Sequence, residues 1–154
     1  MTKQSAQDTP TRSASGYDLT PPTDAEKAVL AAGLDAEERR VILAHGTERP
    51  FCGGLLEEKR EGVFACRLCG LPLFHSAGKF ESGTGWPSFH TPFDPDHLRY
   101  LRDDSHGMVR TEIRCRRCDG HLGHVFEDGP PPTGLRYCLN SVSLKFAEQP
   151  TGNR

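Results

Sequence analysis

A chain of 154 residues with 35% hydrophobic content can bury one core of ordinary size but not two. Its net charge of −2 gives no overall attraction for nucleic acid or anionic lipid, and no apolar run approaches the ~20 residues of a membrane-spanning helix. The first residues lack the apolar stretch of a secretory signal, so the protein is expected to be soluble and cytoplasmic, with no nucleic-acid or membrane partner.

Residues 1–18 are polar, with almost nothing to bury, and read as a flexible tail. Two short helices follow. Thr20-Pro21-Pro22 opens the first, and Ala25, Ala28, Val29 and Ala32 give it a weak apolar side. Asp35 is a good N-cap for the second, Glu38 completes a capping-box pattern, and Gly46 is a candidate C-cap. From Arg49 onward the helical period disappears. Strands are predicted over Glu61–Cys66, Met108–Cys115 and Leu135–Phe146, with turns in the glycine and proline clusters at 83–87, 92–95 and 129–134. In the last strand Cys138, Asn140, Val142, Leu144 and Phe146 would share one face. The prediction is a mainly β domain over 19–149, with the helices at its front and a short polar tail at 150–154.

Four of the six cysteines form two Cys-x-x-Cys pairs, Cys66/Cys69 and Cys115/Cys118. Each follows a predicted strand and precedes a turn-forming residue, Gly70 or Asp119-Gly120. Thiolates three apart across a tight turn can share one tetrahedral zinc ion, and two such knuckles close its shell with sulfur. The ion would therefore be structural. The competing use, a pair of thioredoxin-like redox motifs, requires a βαβ setting, and neither pair opens a helix. Arg110, Arg114, Arg116 and Arg117 form a local basic patch near the second pair; with no interleaved aromatic residues it reads as a solvated face.

Cys52 and Cys138 remain as free thiols. Cys138 lies in Arg136-Tyr137-Cys138-Leu139-Asn140, where strand alternation puts Arg136 and Asn140 on its side. A guanidinium nearby favours the thiolate, and an amide can hold a polar substrate.

Gly83-Thr84-Gly85-Trp86-Pro87-Ser88-Phe89, Arg114-Cys115 through Cys118, His121-Leu122-Gly123-His124-Val125-Phe126, Asp128-Gly129-Pro130 and Arg136-Tyr137-Cys138-Leu139-Asn140-Ser141 run in order along the chain. Together they resemble the methionine-R-sulfoxide reductases of the B type, a likeness extending from about Leu30 to Phe146. The resemblance implies two small antiparallel β-sheets, the "β-tent", with helices packed on the N-terminal side. It implies that the Cys138 thiolate attacks the sulfoxide sulfur and becomes a sulfenic acid. It further implies that His121, His124 and Asn140 surround the oxygen, with His124 the proton donor, and that Trp86 holds the S-methyl group; Trp86 and Arg136 are the expected substrate-binding residues. Thioredoxin is the reductant expected for such an enzyme, and methionine-R-sulfoxide in oxidised proteins its substrate. His-x-x-His as a metal pair is the other use of His121 and His124. His75, His90, His97 and His106 are expected in loops or at the surface.

One departure matters. Many relatives carry a recycling cysteine where this chain has Thr84, and a hydroxyl cannot form a disulfide. Cys52, beside Gly53-Gly54 in a loop expected to be flexible, is then the candidate resolving thiol; the alternative is an unreactive Cys52, with an external reductant attacking Cys138 directly. Two other functions remain open at this point: a non-enzymatic zinc-binding interaction module, and another thiol-dependent reductase.

Overall fold

The computed structural model describes residues 11–149, apart from the side chain of His106; residues 1–10 of the predicted 1–18 tail, and the predicted tail at 150–154, lie outside the described residues. Residues 11–19, which composition assigned largely to the tail, dock onto the domain. The Ser15 backbone N–H and hydroxyl donate to Asp94 at 2.9 and 2.6 Å, the Ser13 hydroxyl meets His97 Nε2 at 2.8 Å, and Leu19 is buried. His97, expected in a loop or at the surface, ends the 3-10 turn Pro95–His97 and is fully buried, because Ser13 and the Pro72 carbonyl satisfy its two ring nitrogens.

Helix α1 spans Asp24–Ala31 and α2 spans Ala36–Ile42. The prolines at 21 and 22 stay outside α1, and Thr23 with Glu26 forms its capping box. At α2 Asp35 and Glu38 exchange the two predicted cap bonds, at 2.8 and 3.0 Å. The end of α2 differs from the prediction: the helix stops at Ile42, and His45, not Gly46, takes the left-handed backbone at φ 61°. The Gly46 N–H then returns to the Arg40 carbonyl at 2.9 Å, which satisfies an end carbonyl without a glycine cap.

Among the described residues nine strands follow: β1 Gly62–Cys66, β2 Pro72–His75, β3 Lys79–Phe80, β4 Ser88–Phe89, β5 Leu98–Asp103, β6 Arg110–Cys115, β7 His121–Phe126, β8 Arg136–Leu139 and β9 Leu144–Glu148. They form two antiparallel sheets, as the resemblance implies, ordered β2-β1-β9 and β3-β4-β8-β7-β6-β5. Phe64, Phe74 and Phe89 are fully buried, with the Phe89 ring 5.0 Å from Phe64 and 4.6 Å from Phe74. Burying one such side chain is worth about 1.5–3 kcal/mol.

The single strand predicted over 135–146 is two strands in different sheets. A 3-10 turn at Ser141–Ser143 separates β8 from β9, so Cys138 and Phe146 do not share a face. Buried polar side chains force the break. Asn140 bonds the Glu48 N–H and the Leu122 carbonyl, and the Ser143 hydroxyl bonds the His121 carbonyl at 2.8 Å. Beyond the turn the chain pairs with β1, setting Phe146 opposite Phe64. Among the described residues no helix is long and apolar enough to cross a membrane.

Candidate active site

The two cysteine pairs close on one another. In each knuckle the N–H four residues after the first cysteine returns to its carbonyl at 2.8 Å, Gly70 to Cys66 and Asp119 to Cys115. Gly70 and Asp119 both take positive φ, 85° and 64°. The turn after Cys118 is thus made by Asp119 and not by Gly120. Cys66 Sγ lies 3.5 Å from Cys118 Sγ, and Cys69 Sγ 3.5 Å from Cys115 Sγ. An ion bound tetrahedrally at ~2.3 Å sets its sulfurs ~3.8 Å apart, so the quartet fits a structural metal site with little adjustment. Burial pushes the Cys115 thiol well above its ordinary value, a penalty that a shared cation reverses.

Three of the four arginines near the cluster, Arg110, Arg114 and Arg117, are committed to partners and do not form a free basic patch. Arg114 reaches Glu112 at 2.9 Å and Arg110 reaches Asp103 at 3.3 Å. Arg117 donates to the carbonyls of Asp18 and Cys69.

Cys138 opens into a separate cavity of about 240 Å³, whose walls include Thr84, Trp86, His124, Arg136 and Asn140. Sheet register builds it. Cys138 pairs with Ser88 of β4 on one side and with His124 of β7 on the other. Directly paired residues place their side chains ~4.5–5.5 Å apart, so the imidazole is a cross-strand neighbour of the thiol. Trp86 sits two residues before Ser88, and its indole N–H donates to the Glu48 carbonyl at 3.0 Å.

The thiol is half-buried, and that burial raises its pKa above the ordinary value. Arg136 and Thr84 pull it down, Glu48 pushes it up, and the net direction is upward. The sequence reading of Arg136 as a thiolate stabiliser therefore holds in sign but does not overcome desolvation. Much of the guanidinium's charge is engaged elsewhere, with Asp128 at 2.9 and 3.1 Å and the Phe126 ring at 4.4 Å.

His124 Nε2 meets Asp103 Oδ2 at 2.7 Å. Hydrogen bonds from Ser105 and His124 hold Asp103 well below the usual carboxylate range. An ionised Asp103 accepts only, which assigns the shared proton to Nε2 of the imidazole.

His121 is buried and does not line the cavity. Its Nδ1 meets Glu112 at 2.7 Å, and its ring stacks on His45 at 5.5 Å. Burial pushes its pKa down, with Glu112 opposing. A bulge brings His121 near His124: Arg114 pairs with His121 but Ile113 pairs with Gly123, so Leu122 is the extra residue. The two-residue alternation is broken there, and the rings meet edge to face at 5.8 Å. Asn140 lines the cavity, but its amide is largely engaged, accepting from the Glu48 N–H at 2.9 Å and donating to the Leu122 carbonyl at 3.1 Å.

A family model described as the SelR domain matches residues 34–148. The chain belongs to the SelR family. A Caulobacter vibrioides protein named peptide methionine sulfoxide reductase MsrB is 66% identical over 141 residues, 92% of this chain and 89% of its own length. A Xylella fastidiosa protein of the same name is 62% identical over 136 residues, 88% and 86% of the two chains. One from Escherichia coli is 59% identical over 123 residues, 80% and 90% of the two.

This SelR chain holds Thr84 in the cavity wall, where its hydroxyl favours the Cys138 thiolate. Cys52 is exposed and outside that wall, in a turn closed by its N–H to the Arg49 carbonyl at 3.2 Å. Its loop is tied down more firmly than the paired glycines suggested. A Cβ on Gly53 would lie 2.2 Å from Ser141 Oγ and 2.3 Å from Glu48 Oε2, so Gly53 serves close approach; only Gly54 has open space. The Leu55 N–H also reaches Ser141 Oγ at 3.3 Å.

Glu48 is the residue that sequence reasoning missed. It is buried, fastens Trp86 and Asn140 through its own backbone, and accepts the Val142 N–H on Oε1 at 3.1 Å. Its other oxygen, Oε2, is buried with no hydrogen-bond partner among the described residues. Nothing in Gly46-Thr47-Glu48-Arg49 distinguishes this glutamate from one in a solvated loop.

Proposed function

We propose that this chain reduces methionine-R-sulfoxide, in oxidised proteins and as the free amino acid, to methionine. The observation that carries the reading is the register of Cys138 directly opposite His124, in a cavity walled by Trp86, in a member of the SelR family. Three relatives bear the name peptide methionine sulfoxide reductase MsrB, which supports the reading.

The residues divide the work. The sulfoxide is a polar S=O on an apolar side chain. Trp86 offers its indole face to the S-methyl group, while His124 and the remaining N–H of Asn140 face the oxygen. Exchanging methyl and oxygen would set a methyl among donors, which selects one epimer. The Cys138 thiolate attacks the sulfoxide sulfur and forms an S–S bond, while two protons reach the oxygen, one of them from Nδ1 of His124, the nitrogen that Asp103 does not hold; the S–O bond breaks and the oxygen leaves as water. A water molecule then attacks the Cys138 sulfur and the S–S bond breaks, so that methionine leaves, reduced by two electrons, and Cys138 is oxidised to a sulfenic acid. His121, held by Glu112, acts from behind as a positioning residue for His124.

Cys52 resolves the intermediate: its thiolate attacks the sulfenic sulfur, water departs, and a disulfide forms. Reaching Cys138 requires the loop to give up its contacts with Ser141. A dithiol protein such as thioredoxin then restores both thiols. Zinc is the ion proposed for Cys66, Cys69, Cys115 and Cys118; its four thiolates leave no open position, so it holds the fold and supplies no step. Four zinc-binding thiolates and two redox-active thiols suit a reducing compartment, in keeping with the cytoplasm.

The test is incubation with each sulfoxide epimer and dithiothreitol, followed by reverse-phase separation of methionine. Product from the R epimer alone is expected; product from neither would overturn the reading. The set of thiol, imidazole and indole in one cavity has no purpose in an interaction module.

A further inference from the structure

Phe51 presents a large apolar surface to solvent, 68% exposed, from a backbone at φ 65°. A bulky residue occupies that left-handed region only where its surroundings enforce it, and such strain concentrates at functional sites. Here the enforcement is visible. The Phe51 N–H donates to the Gly85 carbonyl at 2.7 Å. Its ring lies so close to Gly85 that an added Cβ there would sit 2.9 Å from two ring carbons. Phe51 is thus fixed to the same loop that carries Trp86.

Beneath it lies a small second cavity of about 40 Å³, lined in part by Phe51, Leu56, Phe80, Trp86 and Pro87. Trp86 also lines the catalytic cavity, so one indole is a wall shared by both. Lys79 and Glu81 stand at the edge of the apolar floor. Lys79 donates to the Leu56 carbonyl at 2.7 Å and Glu81 pairs with Lys59, which leaves the aromatic surface as the unpartnered part of the groove.

We infer that Phe51, Leu56 and Phe80 form a subsite for the apolar side chain of a residue flanking methionine sulfoxide in a polypeptide substrate. This rests on the reductase reading above. Adjacency to the catalytic cavity, across the shared Trp86 wall, names the occupant. A sulfoxide entering beside Trp86 brings its chain neighbours with it, and successive Cα atoms are about 3.8 Å apart. The adjoining residues therefore cross the rim where Phe51 stands. An apolar neighbour removes its own surface and that of Phe51 from water, whereas a small polar neighbour such as serine buries little apolar surface.

The experiment compares kcat/KM, with dithiothreitol as reductant, for three substrates: free methionine sulfoxide and two peptides differing only in flanking residues, leucine in one and serine in the other. The small dithiol is chosen because Phe51 adjoins Cys52, and recycling through Cys52 must not enter the comparison. Wild type is expected to favour the leucine-flanked peptide about tenfold, mainly through KM. Phe51→Ala should remove most of that preference and leave the free amino acid unchanged. Its exposure makes this substitution safe for folding, and Leu56→Ser should act in the same direction. No preference in the wild type, or an equal loss on all three substrates in Phe51→Ala, would overturn the subsite. A wild type that reduces none of the three overturns the reductase reading itself, and the subsite with it.

Discussion

The indole N–H of Trp86 donates to the backbone carbonyl of Glu48 at 3.0 Å, so a cavity wall is set by a residue 38 positions earlier in the chain. The same residue holds Asn140 by its N–H and Val142 by its carboxylate. Glu48→Ala leaves the Val142 N–H without its acceptor, at a cost of about 1–3 kcal/mol. Thermal denaturation should show that loss, and kcat/KM should fall with it. Glu48→Gln keeps the Oε1 acceptor and should recover most of both. An alanine variant with wild-type stability and activity would remove Glu48 from this role.

Burial holds the Cys138 thiol above its ordinary value while Arg136 pulls the other way. Iodoacetamide alkylation followed against pH should therefore show a midpoint above the ~8.5 of a free cysteine. Arg136→Met removes a lowering influence, so the midpoint should rise and alkylation at pH 8 should slow. Asp128→Asn releases the guanidinium from its carboxylate partner and should shift the midpoint down. An unmoved midpoint in Arg136→Met would show that the guanidinium charge does not reach the sulfur.

Asp103 stays ionised well into acid and keeps the Nε2 proton on His124. His124→Ala should slow methionine release most at high pH, where solvent supplies protons poorly. Asp103→Asn should lower kcat more than it raises KM, because it loosens the imidazole without touching the substrate. A pH–rate profile unchanged by His124→Ala would assign the proton to another donor.

Cys52→Ser should still release about one methionine per enzyme without reductant, then lose thioredoxin-driven turnover while dithiothreitol sustains it. Cys138→Ser should release none. Thr84 lines the Cys138 cavity, so adding Thr84→Cys to Cys52→Ser should restore much of the thioredoxin-driven rate. Peptide mapping of the oxidised double variant should find position 84 bridged to Cys138. If Cys52→Ser alone keeps full thioredoxin turnover, Cys52 is a bystander.

Cys118→Ser breaks a buried four-sulfur cluster. Elemental analysis should give one zinc per wild-type chain and far less in the variant. Stability should fall by several kcal/mol, since structural zinc contributes its binding energy to folding, ~10–16 kcal/mol in small peptides. A metal-free wild type with full activity and stability would contradict this.

The sequence by itself determined the features carried by local geometry. The capping box of Asp35 and Glu38, the two cysteine knuckles and the strands leading into them follow from spacings of a few residues, within which side chain and backbone meet whatever the fold. Ordered motifs also marked Cys138, Trp86 and His124 as members of one site. Only the tertiary structure decided the rest. The apparent single strand over 135–146 is split because Asn140 and Ser143 find buried partners in Glu48, Leu122 and His121, residues distant in the chain. The same distance hid Glu48, whose value lies in three contacts that no local pattern encodes. His97 reads as a loop residue until Ser13 closes over it, and His121 reads as a second cavity histidine until a bulge seats it behind His124. Alternation and capping are properties of neighbours in sequence. Burial, and therefore the raised Cys138 thiol, is a property of what the other strands bring near.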